Sequence, residues 1–459
     1  MFRSMFAVAV GMAALAWNAP SQAQTPDAAL DILTHSIAFR TVEGGGQVPA
    51  YAAYLKGLLV QAGFAEMDVV IEPLGETATL TAVWQGADPA LKPIILIGHM
   101  DVVAADPADW ERDPFTAVVE NGFVFGRGAF DNKGDISILV ATLIKLKQAG
   151  WTPRRTLILA LTGDEETEMA TTRRLAEQLK GAEMVLNADA GGAQLNAEGV
   201  PIAYELQAAE KTYADYVLTV TDPGGHSSMP GPVNAIYRLN TALARLEAFH
   251  FPATVSPIVA AYFEASAQRA PAPLGDAMRR LVADPTDAAA LAVLTASPDY
   301  VGQLRTTCVT TMISGGHAPN ALPQRASATV NCRIYPGETI AETAATLTTV
   351  LADPGVTVAS DGVEAAGAGA SPLRADVLAA VTQAVQARAP GLAVVPIMSA
   401  YATDGARFRA LGLPTYGVSS VFISPDDDFV HGLNERLPIA TIAPGMAQWE
   451  ALLTTLAAN

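Results

Sequence analysis

The chain contains the run Pro93-Ile94-Ile95-Leu96-Ile97-Gly98-His99-Met100-Asp101, in which apolar residues lead into a histidine and an aspartate. Continuous apolar runs of this kind predict a strand that is buried on both faces, which is typical of parallel sheets. We therefore expect a strand over 91–98, with His99 and Asp101 just beyond its carboxyl end.

The region from about 25 to 210 repeats this alternation. β-rich runs at 155–162 and 184–187 predict strands, and amphipathic stretches at 136–148 and 171–180 predict helices. Such alternation indicates an α/β fold with parallel strands, in which ligands collect beyond the carboxyl ends of the strands. The polar residues that follow each predicted strand are therefore candidates for a functional site.

These strand ends carry His99, Asp101, Glu165, Glu166 and Asp189, and two further potential metal ligands, Asp131 and His431, lie elsewhere in the chain. The candidates are two histidines and several carboxylates: His99, Asp101, Asp131, Glu165, Glu166, Asp189 and His431. Such a set suits two borderline-soft divalent cations, with one carboxylate left to act as a base. Each motif alone has a common alternative, since a lone His-x-Asp is more often a surface pair and a lone Asp-Glu-Glu a solvated helix start. Their joint occurrence after predicted strands favours a two-metal hydrolase.

Spacing indicates some of the individual roles. Residues two apart at a strand end point the same way, so Asp101 can orient His99 as a metal ligand. Asp131 lies in the Gly-rich run 126–134, where a carboxylate can bridge two cations. Glu165 and Glu166 are adjacent and their side chains diverge, so one can bind metal while the other takes a proton from water.

Length and composition limit the remaining possibilities. A chain of 459 residues, 50% of them apolar and 16% charged, indicates a globular protein of two domains. The formal net charge of −18 argues against nucleic acid and against an anionic membrane surface as partners.

A second domain is predicted from about Thr212, where the pattern changes. Strands are expected at 213–220, 305–314, 324–334 and 356–359, and a helix at 340–351. We interpret this part as an α+β domain at 211–366, which is inserted between catalytic-domain segments at 24–210 and 367–459. An Ala- and Gly-rich stretch at 365–372 forms its exit.

The amino terminus predicts a signal peptide over 1–23. Arg3 precedes an apolar stretch from Phe6 to Trp17, and Ser21-Gln22-Ala23 places small residues where a signal peptidase reads them. The alternative, an uncleaved anchor, is disfavoured because the stretch is short for a membrane span. We therefore expect an exported protein, periplasmic or secreted, that does not associate with the membrane after cleavage.

Cys308 and Cys332 are the only cysteines, too few for a disulfide scaffold or a thiolate metal site. They are equally far from Asn320, near which a hairpin turn is expected, so they could face each other on paired strands. Two alternatives stay open: a disulfide, which an oxidising compartment permits, and two buried thiols.

The chain also resembles a known family. The motifs are Gly98-His99-Met100-Asp101-Val102-Val103, Trp110-Glu111-Arg112-Asp113-Pro114-Phe115 with the run 126–134, Asp164-Glu165-Glu166, the run 224–230, and His431-Gly432-Leu433-Asn434-Glu435. They are similar to those of the co-catalytic dizinc metallopeptidases that include aminoacylase, carboxypeptidases of the G and S types, and succinyl-diaminopimelate desuccinylase. The resemblance implies a catalytic domain with a mainly parallel mixed sheet flanked by helices. It also implies that the inserted domain is a ferredoxin-like lid through which the protein forms a homodimer.

The resemblance also implies a set of ligands for two zinc ions per subunit, which cobalt or manganese could replace. His99, Asp131 and Asp189 are expected to hold one ion, and Asp131, Glu166 and His431 the other, with Asp131 as the bridge. Glu165 is implied as the general base and later the acid, and Asp101 as the residue that orients His99.

Three residues of the inserted domain complete the implied site. His226 is expected to stabilise an oxyanion at the active site of the partner subunit; the alternative is a histidine hydrogen-bonded within its own turn. Asn320 and Arg333 are expected to bind a substrate carboxylate, which the planar guanidinium of Arg333 suits. The alternative for Arg333 is a surface salt bridge.

Together these expectations describe an exported zinc-dependent hydrolase that acts on a small peptide. It would cleave an amide bond next to a free carboxylate, in a dipeptide or at a carboxy-terminal peptide bond. Two alternatives are kept: an N-acyl-amino-acid amidohydrolase that uses the same chemistry, and a catalytically silent relative that binds ligands without turnover.

Overall fold

The computed structural model describes residues 25–361 and 367–458. The signal peptide expected over 1–23 lies outside these residues, as does the junction at 362–366. Within the described ranges, no helix combines the length and the apolar character that crossing a membrane requires.

The described residues form strands and helices throughout. The strands are β1 Val69–Leu74, β2 Thr77–Trp84, β3 Ile94–His99, β4 Val118–Glu120, β5 Phe123–Phe125, β6 Leu157–Thr162, β7 Met184–Asn187, β8 Gly192–Leu195, β9 Pro201–Glu210, β10 Thr212–Thr221, β11 Gly225–His226, β12 Thr307–Gly315, β13 Ala321–Leu322, β14 Arg325–Ile334, β15 Val356–Asp361, β16 Val394–Ser399, β17 Thr415–Gly417, β18 Phe422–Ile423 and β19 Arg436–Pro438. The helices are α1 Thr25–Ile37, α2 Val48–Gln61, α3 Lys133–Gln148, α4 Ala170–Leu179, α5 Ala235–Ala248, α6 Pro257–Ser266, α7 Ala272–Ala283, α8 Ala288–Thr295, α9 Pro298–Leu304, α10 Ile340–Leu351, α11 Ala375–Arg388, α12 Gly405–Ala410 and α13 Ile442–Leu456.

The larger sheet has the strand order β1-β2-β6-β3-β7-β17-β9-β8-β18, with β16 paired to β9. Its centre is parallel, since β3 pairs in parallel with both β6 and β7, and β7 with β17. Antiparallel pairs lie towards the edges, where β1 pairs with β2 and β8 with β9. The prediction of an α/β fold with a mainly parallel mixed sheet flanked by helices is confirmed.

Strand β3 shows why the apolar run at its centre is continuous. Every residue from Ile94 to His99 is buried. Ile94 and Leu96 belong to the main core, whereas Ile95 and Ile97 belong to a second core on the other face, with Leu175 and Phe408. Because helices cover both faces, neither set of alternate residues can be polar.

The second sheet is antiparallel and has the order β12-β14-β10-β15. Its elements follow the chain as β10-α5-β12-β14-α10-β15, which is the βαββαβ arrangement of ferredoxin-like domains. It has a core of its own, in which Tyr216, Leu239, Val330 and Leu347 are buried. β12 forms one edge, and among the described residues it pairs with β14 alone.

Helices α6 to α9 lie within the segment expected to form the inserted domain, yet they pack elsewhere. Buried side chains of these helices, including Val259, Phe263, Leu281 and Leu294, join the core of the larger sheet. α6 lies against Val395 and Ile397 of β16 through Tyr262. The chain therefore returns to the larger core between α5 and β12.

The two cysteines are bonded to each other. Cys308 on β12 and Cys332 on β14 are directly opposed partners, with their Cα atoms 4.1 Å apart. Of the two alternatives left open by the sequence, the structure has the disulfide. It ties the edge strand to its only paired neighbour in the described part of that sheet.

Candidate metal centre

His99 and Asp101 lie at the carboxyl end of β3, and each fixes part of the site. The His99 ring is only 1% exposed, and its Nδ1 donates to the backbone carbonyl of Asp101 at 3.0 Å. Because Nδ1 makes that bond, Nε2 is the nitrogen available to a metal ion, and it faces Asp131 Oδ1 at 2.8 Å and Asp189 Oδ1 at 3.5 Å. The ring is therefore oriented with Nε2 towards two other candidate ligands.

The carboxylate of Asp101 has a separate task. It lies 3.6 Å from His99 Nδ1, farther than the carbonyl of the same residue. Its two oxygens accept the backbone N–H groups of Glu165 at 3.1 Å and Glu166 at 3.0 Å. Asp101 thus holds the histidine by its main chain and the Glu165–Glu166 turn by its side chain.

Asp131 is central to the cluster. It precedes α3, and its Oδ1 faces His99 Nε2 while its Oδ2 lies 3.1 Å from His431 Nε2. His431 Nε2 also lies 3.0 Å from Glu166 Oε1. One carboxylate thus offers an oxygen to each of the two histidines, which is the geometry required of a bridging ligand.

The loop that carries His431 is attached to the loop that carries Asp131. His431 has a φ of 59°, an unusual conformation for a residue with a side chain. Arg127 donates to the carbonyls of His431 at 3.3 Å and Gly432 at 3.1 Å, and it pairs with Glu435 at 2.7 Å. These bonds fix the backbone at His431 relative to the loop that carries Asp131.

Three overlapping groups of side chains in the described residues could hold a metal ion. In each group the ligand atoms all lie within 4.8 Å of one another. The groups are His99 with Asp131 and Asp189, Asp131 with Glu166 and His431, and His99 with Glu165 and Glu166. The first two have the same members as the ligand sets that the family resemblance implied.

Burial and crowding shift the titration of these groups. Burial raises the pKa of Asp189 to about 8, although His99 opposes the shift. Burial also raises the pKa of Asp131, but contact with His99 and His431 outweighs it and leaves that pKa below its usual range. Contacts with Asp131 and Glu166 raise the pKa of His431 to about 10. The cluster therefore holds several carboxylates in a small volume, where bound cations would offset their mutual repulsion.

A cavity of about 460 Å³ opens onto the cluster. Its wall includes seven carboxylates and no lysine or arginine among the described residues; the acids are Asp131, Asp135, Glu165, Glu166, Asp189, Glu205 and Asp428. Small and apolar residues, including Ala190, Ala193 and Val421, form much of the remainder. The donor set, the His99 tautomer and the missing basic side chains all fit a pair of divalent cations.

Glu165 lines the same cavity beside the cluster. Burial raises the pKa of its carboxyl well above the usual range; His99 opposes this, whereas Asp189, Asp404 and Glu166 add to it. A carboxylate with a raised pKa accepts a proton more readily near neutral pH. This is the environment expected of a general base.

A model of the peptidase family M20/M25/M40 matches residues 95–455. The chain belongs to this family. It is a metallopeptidase or amidohydrolase of the M20 type, and the resemblance inferred from its motifs is confirmed.

Several relatives of the M20 chain are similar over most of its length. It is 29% identical over 370 residues to human N-fatty-acyl-amino acid synthase/hydrolase PM20D1, which covers 77% of this chain and 72% of that protein. It is 26% identical over 383 residues to probable carboxypeptidase S-like 2 of Dictyostelium discoideum, covering 78% and 70%. The M20 family metallo-carboxypeptidase Sso-CP2 of Sulfolobus solfataricus shares its fold, with a TM-score of 0.68, 18% identity and coverage of 94% and 99%.

The three predicted residues of the inserted domain lie on β11, directly before β13 and on β14. His226 is exposed on β11, and its Nδ1 accepts the Ser228 N–H at 3.2 Å. The exposed Asn320 is its neighbour, because the Asn320 carbonyl accepts the Ser227 N–H at 3.0 Å. Arg333 lies over the Tyr213 ring and donates to the carbonyl of Ala400 at 3.4 Å. None of the three lines the described cavity.

The loop that follows β16 contains Thr403-Asp404-Gly405, whose resemblance to a family loop that lines the substrate pocket is a sequence signal of low specificity. Tyr401 and Thr403 line the cavity, and Asp404 is buried behind them. Thr403 donates through its N–H to Glu210 at 2.7 Å and through its hydroxyl at 2.9 Å. A further sequence signal for this loop is the apolar run at 394–398. That run is a buried strand, and ligands collect beyond the carboxyl ends of such strands, where this loop begins.

Proposed function

We propose that this M20 protein is an exported, dizinc-dependent hydrolase that cleaves an amide bond next to a free carboxylate. The observation that carries the proposal is the convergence of two potential ligand groups that share Asp131, beside Glu165, on one cavity. The proposed ligands are those expected from the sequence: His99, Asp131 and Asp189 for one ion, and Asp131, Glu166 and His431 for the other.

Two divalent cations held there supply Lewis acidity, which lowers the pKa of water toward about 7 and polarises the substrate carbonyl. Zinc suits the mixed imidazole and carboxylate set. Asp131 lies between the two histidines and is the proposed bridging ligand. Asp101 orients His99 through its backbone carbonyl and holds the Glu165–Glu166 turn through its carboxylate.

Glu165 is the proposed proton carrier. Its carboxylate takes a proton from the attacking water as the oxygen bonds to the substrate carbonyl carbon. When the carbon–nitrogen bond breaks, Glu165 gives that proton to the departing amine, so the carboxylate is regenerated. The products are a carboxylic acid and an amine that bears the free carboxylate.

The proposed recognition of that carboxylate uses the lid. Arg333 and Asn320 supply a guanidinium and an amide, and His226 supplies a donor for the oxyanion. His226 is exposed and lies outside its own cavity, which supports a role at the site of a second subunit. β12 has an edge that pairs with no other strand of the described residues, and this edge supports a homodimer. Val309, Met312 and Ile313 on β12 are 58%, 68% and 66% exposed.

The second candidate is an N-acyl-amino-acid amidohydrolase. The human relative is named N-fatty-acyl-amino acid synthase/hydrolase, and it covers 77% of this chain. The small and apolar residues of the cavity wall also suit an acyl chain. The Dictyostelium relative, named as a probable carboxypeptidase, supports the first candidate instead.

Export is proposed from the amino-terminal sequence, and the disulfide between Cys308 and Cys332 is in keeping with an oxidising compartment. Cell fractionation of the native host, followed by mass determination of the amino terminus, tests this part. A mature protein that begins at Gln24 in the exported fraction is expected.

A substrate panel tests the reaction itself. The zinc-loaded protein is incubated with dipeptides and N-acyl amino acids, with and without a chelator. Cleavage that the chelator abolishes and zinc restores is expected, and the preferred compound distinguishes peptidase from acylase. Cleavage that is insensitive to the chelator would contradict the metal mechanism.

A further inference from the structure

One carboxylate of the cavity wall forms no hydrogen bond or close ion pair with another described residue. Glu205 lies on β9, opposite Gly192 of β8, directly beyond the turn that follows Asp189. It is partly buried, and its side chain forms no hydrogen bond or ion pair with any residue of the described ranges 25–361 and 367–458. Such a group is costly unless something in the cavity pairs with it.

The other six acids of the wall are already accounted for. Asp131, Glu166 and Asp189 are proposed metal ligands, and Glu165 is the proposed base. Asp135 accepts hydrogen bonds from the Ser419 hydroxyl at 2.6 Å and from Ser420. Asp428 is exposed and accepts the Val430 N–H at 3.4 Å. Glu205 is therefore the acid of this wall that has neither a proposed role at the metals nor a hydrogen bond to another described residue.

Glu205 shares the cavity wall with the reaction centre. Glu165, Asp189 and Tyr401 line the same cavity, and Glu205 pairs across the sheet with Gly192, three residues after Asp189. Burial raises the pKa of Glu205, and the exposed Arg269 opposes this rise without forming an ion pair with it.

We propose that Glu205 is a specificity residue that binds a cationic group on the acyl part of the substrate. This inference rests on the proposed function, in which the substrate carboxylate lies at the lid. Because Glu205 belongs to the wall of the catalytic domain, the group facing it belongs to the other side of the scissile bond. The cation is a free α-ammonium group or a basic side chain, and the preferred substrates are peptides, not N-fatty-acyl amino acids.

Two pairs of substrates that differ in a single charge test the proposal. Alanyl-phenylalanine and propionyl-phenylalanine differ by the α-ammonium group, and lysyl-phenylalanine and norleucyl-phenylalanine differ by the side-chain ammonium. The wild-type protein is expected to show a kcat/KM roughly 10- to 100-fold higher for the charged member of at least one pair. The pair that responds identifies which cation Glu205 binds.

Two variants assign the preference to Glu205. Glu205→Gln is expected to reduce the ratio to about twofold or less, because the amide cannot pair with the cation of the charged substrate. Glu198→Gln removes the same charge from the exposed turn of the same β8–β9 hairpin and is expected to keep the ratio. Melting temperatures of all three proteins show whether each variant is folded. The ratios measured on the wild-type protein test the substrate preference even if a variant does not fold.

The outcomes separate this inference from the proposed function. Chelator-sensitive turnover with both wild-type ratios below tenfold would leave the proposed function intact and overturn the role of Glu205. A ratio that survives in Glu205→Gln, or that is lost equally in Glu198→Gln, would also overturn it. No chelator-sensitive turnover of any of the four compounds would overturn the proposed function and this inference together.

Discussion

The carboxylate of Glu435 accepts the backbone N–H of Asp131 at 2.9 Å, although 304 residues separate them along the chain. The same carboxylate accepts the N–H groups of Gly128 and Phe130, each at 2.9 Å. Its remaining contact is the ion pair with Arg127, which in turn holds the carbonyls of His431 and Gly432. One fully buried carboxylate therefore joins the loop of the bridging aspartate to the loop of the last histidine.

Glu435→Gln is expected to weaken metal binding and to destabilise the fold. The amide cannot accept all four bonds, and the buried Arg127 loses its counter-charge, which typically costs about 3–5 kcal/mol. Partners that orient metal ligands are typically worth about 10- to 100-fold in metal affinity. Competitive zinc titration and thermal unfolding measure the two effects.

Glu210→Gln is the matched control for that variant. Glu210 and Arg409 form an ion pair at 2.6 Å that is as buried as the pair of Glu435 and Arg127, but it contacts no proposed metal ligand. A similar loss of stability with zinc affinity within about threefold of wild type is expected. Equal losses of affinity in both variants would contradict a specific role for Glu435.

The strands that deliver the ligands could be predicted from the sequence because each is buried on both faces. The apolar runs at β3, β6 and β7 are continuous for that reason, and the strand-end rule then located His99, Glu165, Glu166 and Asp189. Asp131 and His431 lie in loops; the Gly-rich run allowed Asp131 to bridge two cations, but only the family resemblance assigned the full ligand sets.

Other features depend on contacts that no local pattern encodes. α6 to α9 are short helices, and nothing in their residues tells which of two cores they join. The attachment of Glu435 to Asp131 links segments that are distant in sequence. The division of labour in Asp101, carbonyl to His99 and carboxylate to the Glu165–Glu166 turn, arises only from the final geometry.

Asp101→Asn tests that division of labour. The carbonyl that orients His99 is retained, so zinc content is expected to stay close to two ions per chain. The amide oxygen can accept only one side of the turn, and its NH₂ group opposes the other N–H donor. An unpaired buried donor costs about 1–3 kcal/mol, so kcat is expected to fall roughly 10- to 100-fold. Metal analysis and steady-state kinetics measure the two effects. A large loss of zinc would show that the Asp101 carboxylate is needed to orient His99 as a metal ligand.

Glu165→Gln tests the proposed base. Gln occupies nearly the same volume but cannot take a proton from water, and Glu165 is not among the proposed ligands. Both metals are expected to remain while kcat falls by about 10²–10⁴-fold or more. Zinc content measured on the same sample as turnover distinguishes this from loss of the metals. Near-normal turnover with two bound ions would rule out Glu165 as the base.

Ile313→Lys on the exposed edge of β12 tests the proposed homodimer. A charge at the centre of a strand edge opposes pairing with a second strand, so a change from dimer to monomer is expected by light scattering. Val119→Lys on β4, where the side chain is 51% exposed, is the control and is expected to leave the dimer intact. A wild-type protein that is monomeric at high concentration would contradict the proposal directly.

Lys211 lies where the chain passes from β9 to β10, and its burial leads us to expect a free energy of unfolding that depends on pH. Its side chain is 1% exposed, and its Nζ donates to the Arg305 carbonyl at 2.8 Å. Burial lowers its pKa from 10.5 to about 8, with Arg333 adding to the shift and Glu338 opposing it. Below pH 8 both states are protonated and the folded state carries the full cost of the buried charge. Between pH 8 and 10.5 the unfolded chain binds more protons, so stability rises with pH.

The size of that rise is roughly 3 kcal/mol, since each unit of pKa difference corresponds to about 1.4 kcal/mol. Urea unfolding of wild type and Lys211→Met at pH 7.5 and pH 10.5 isolates it, because groups other than Lys211 contribute equally to both proteins. As the pH rises, the free energy of unfolding of the wild type is expected to increase by that amount relative to that of Lys211→Met. The exposed Lys92 gives the control variant Lys92→Met, for which the difference from wild type is expected to stay flat. A flat difference for Lys211→Met as well would mean that its amine is solvated in the folded protein.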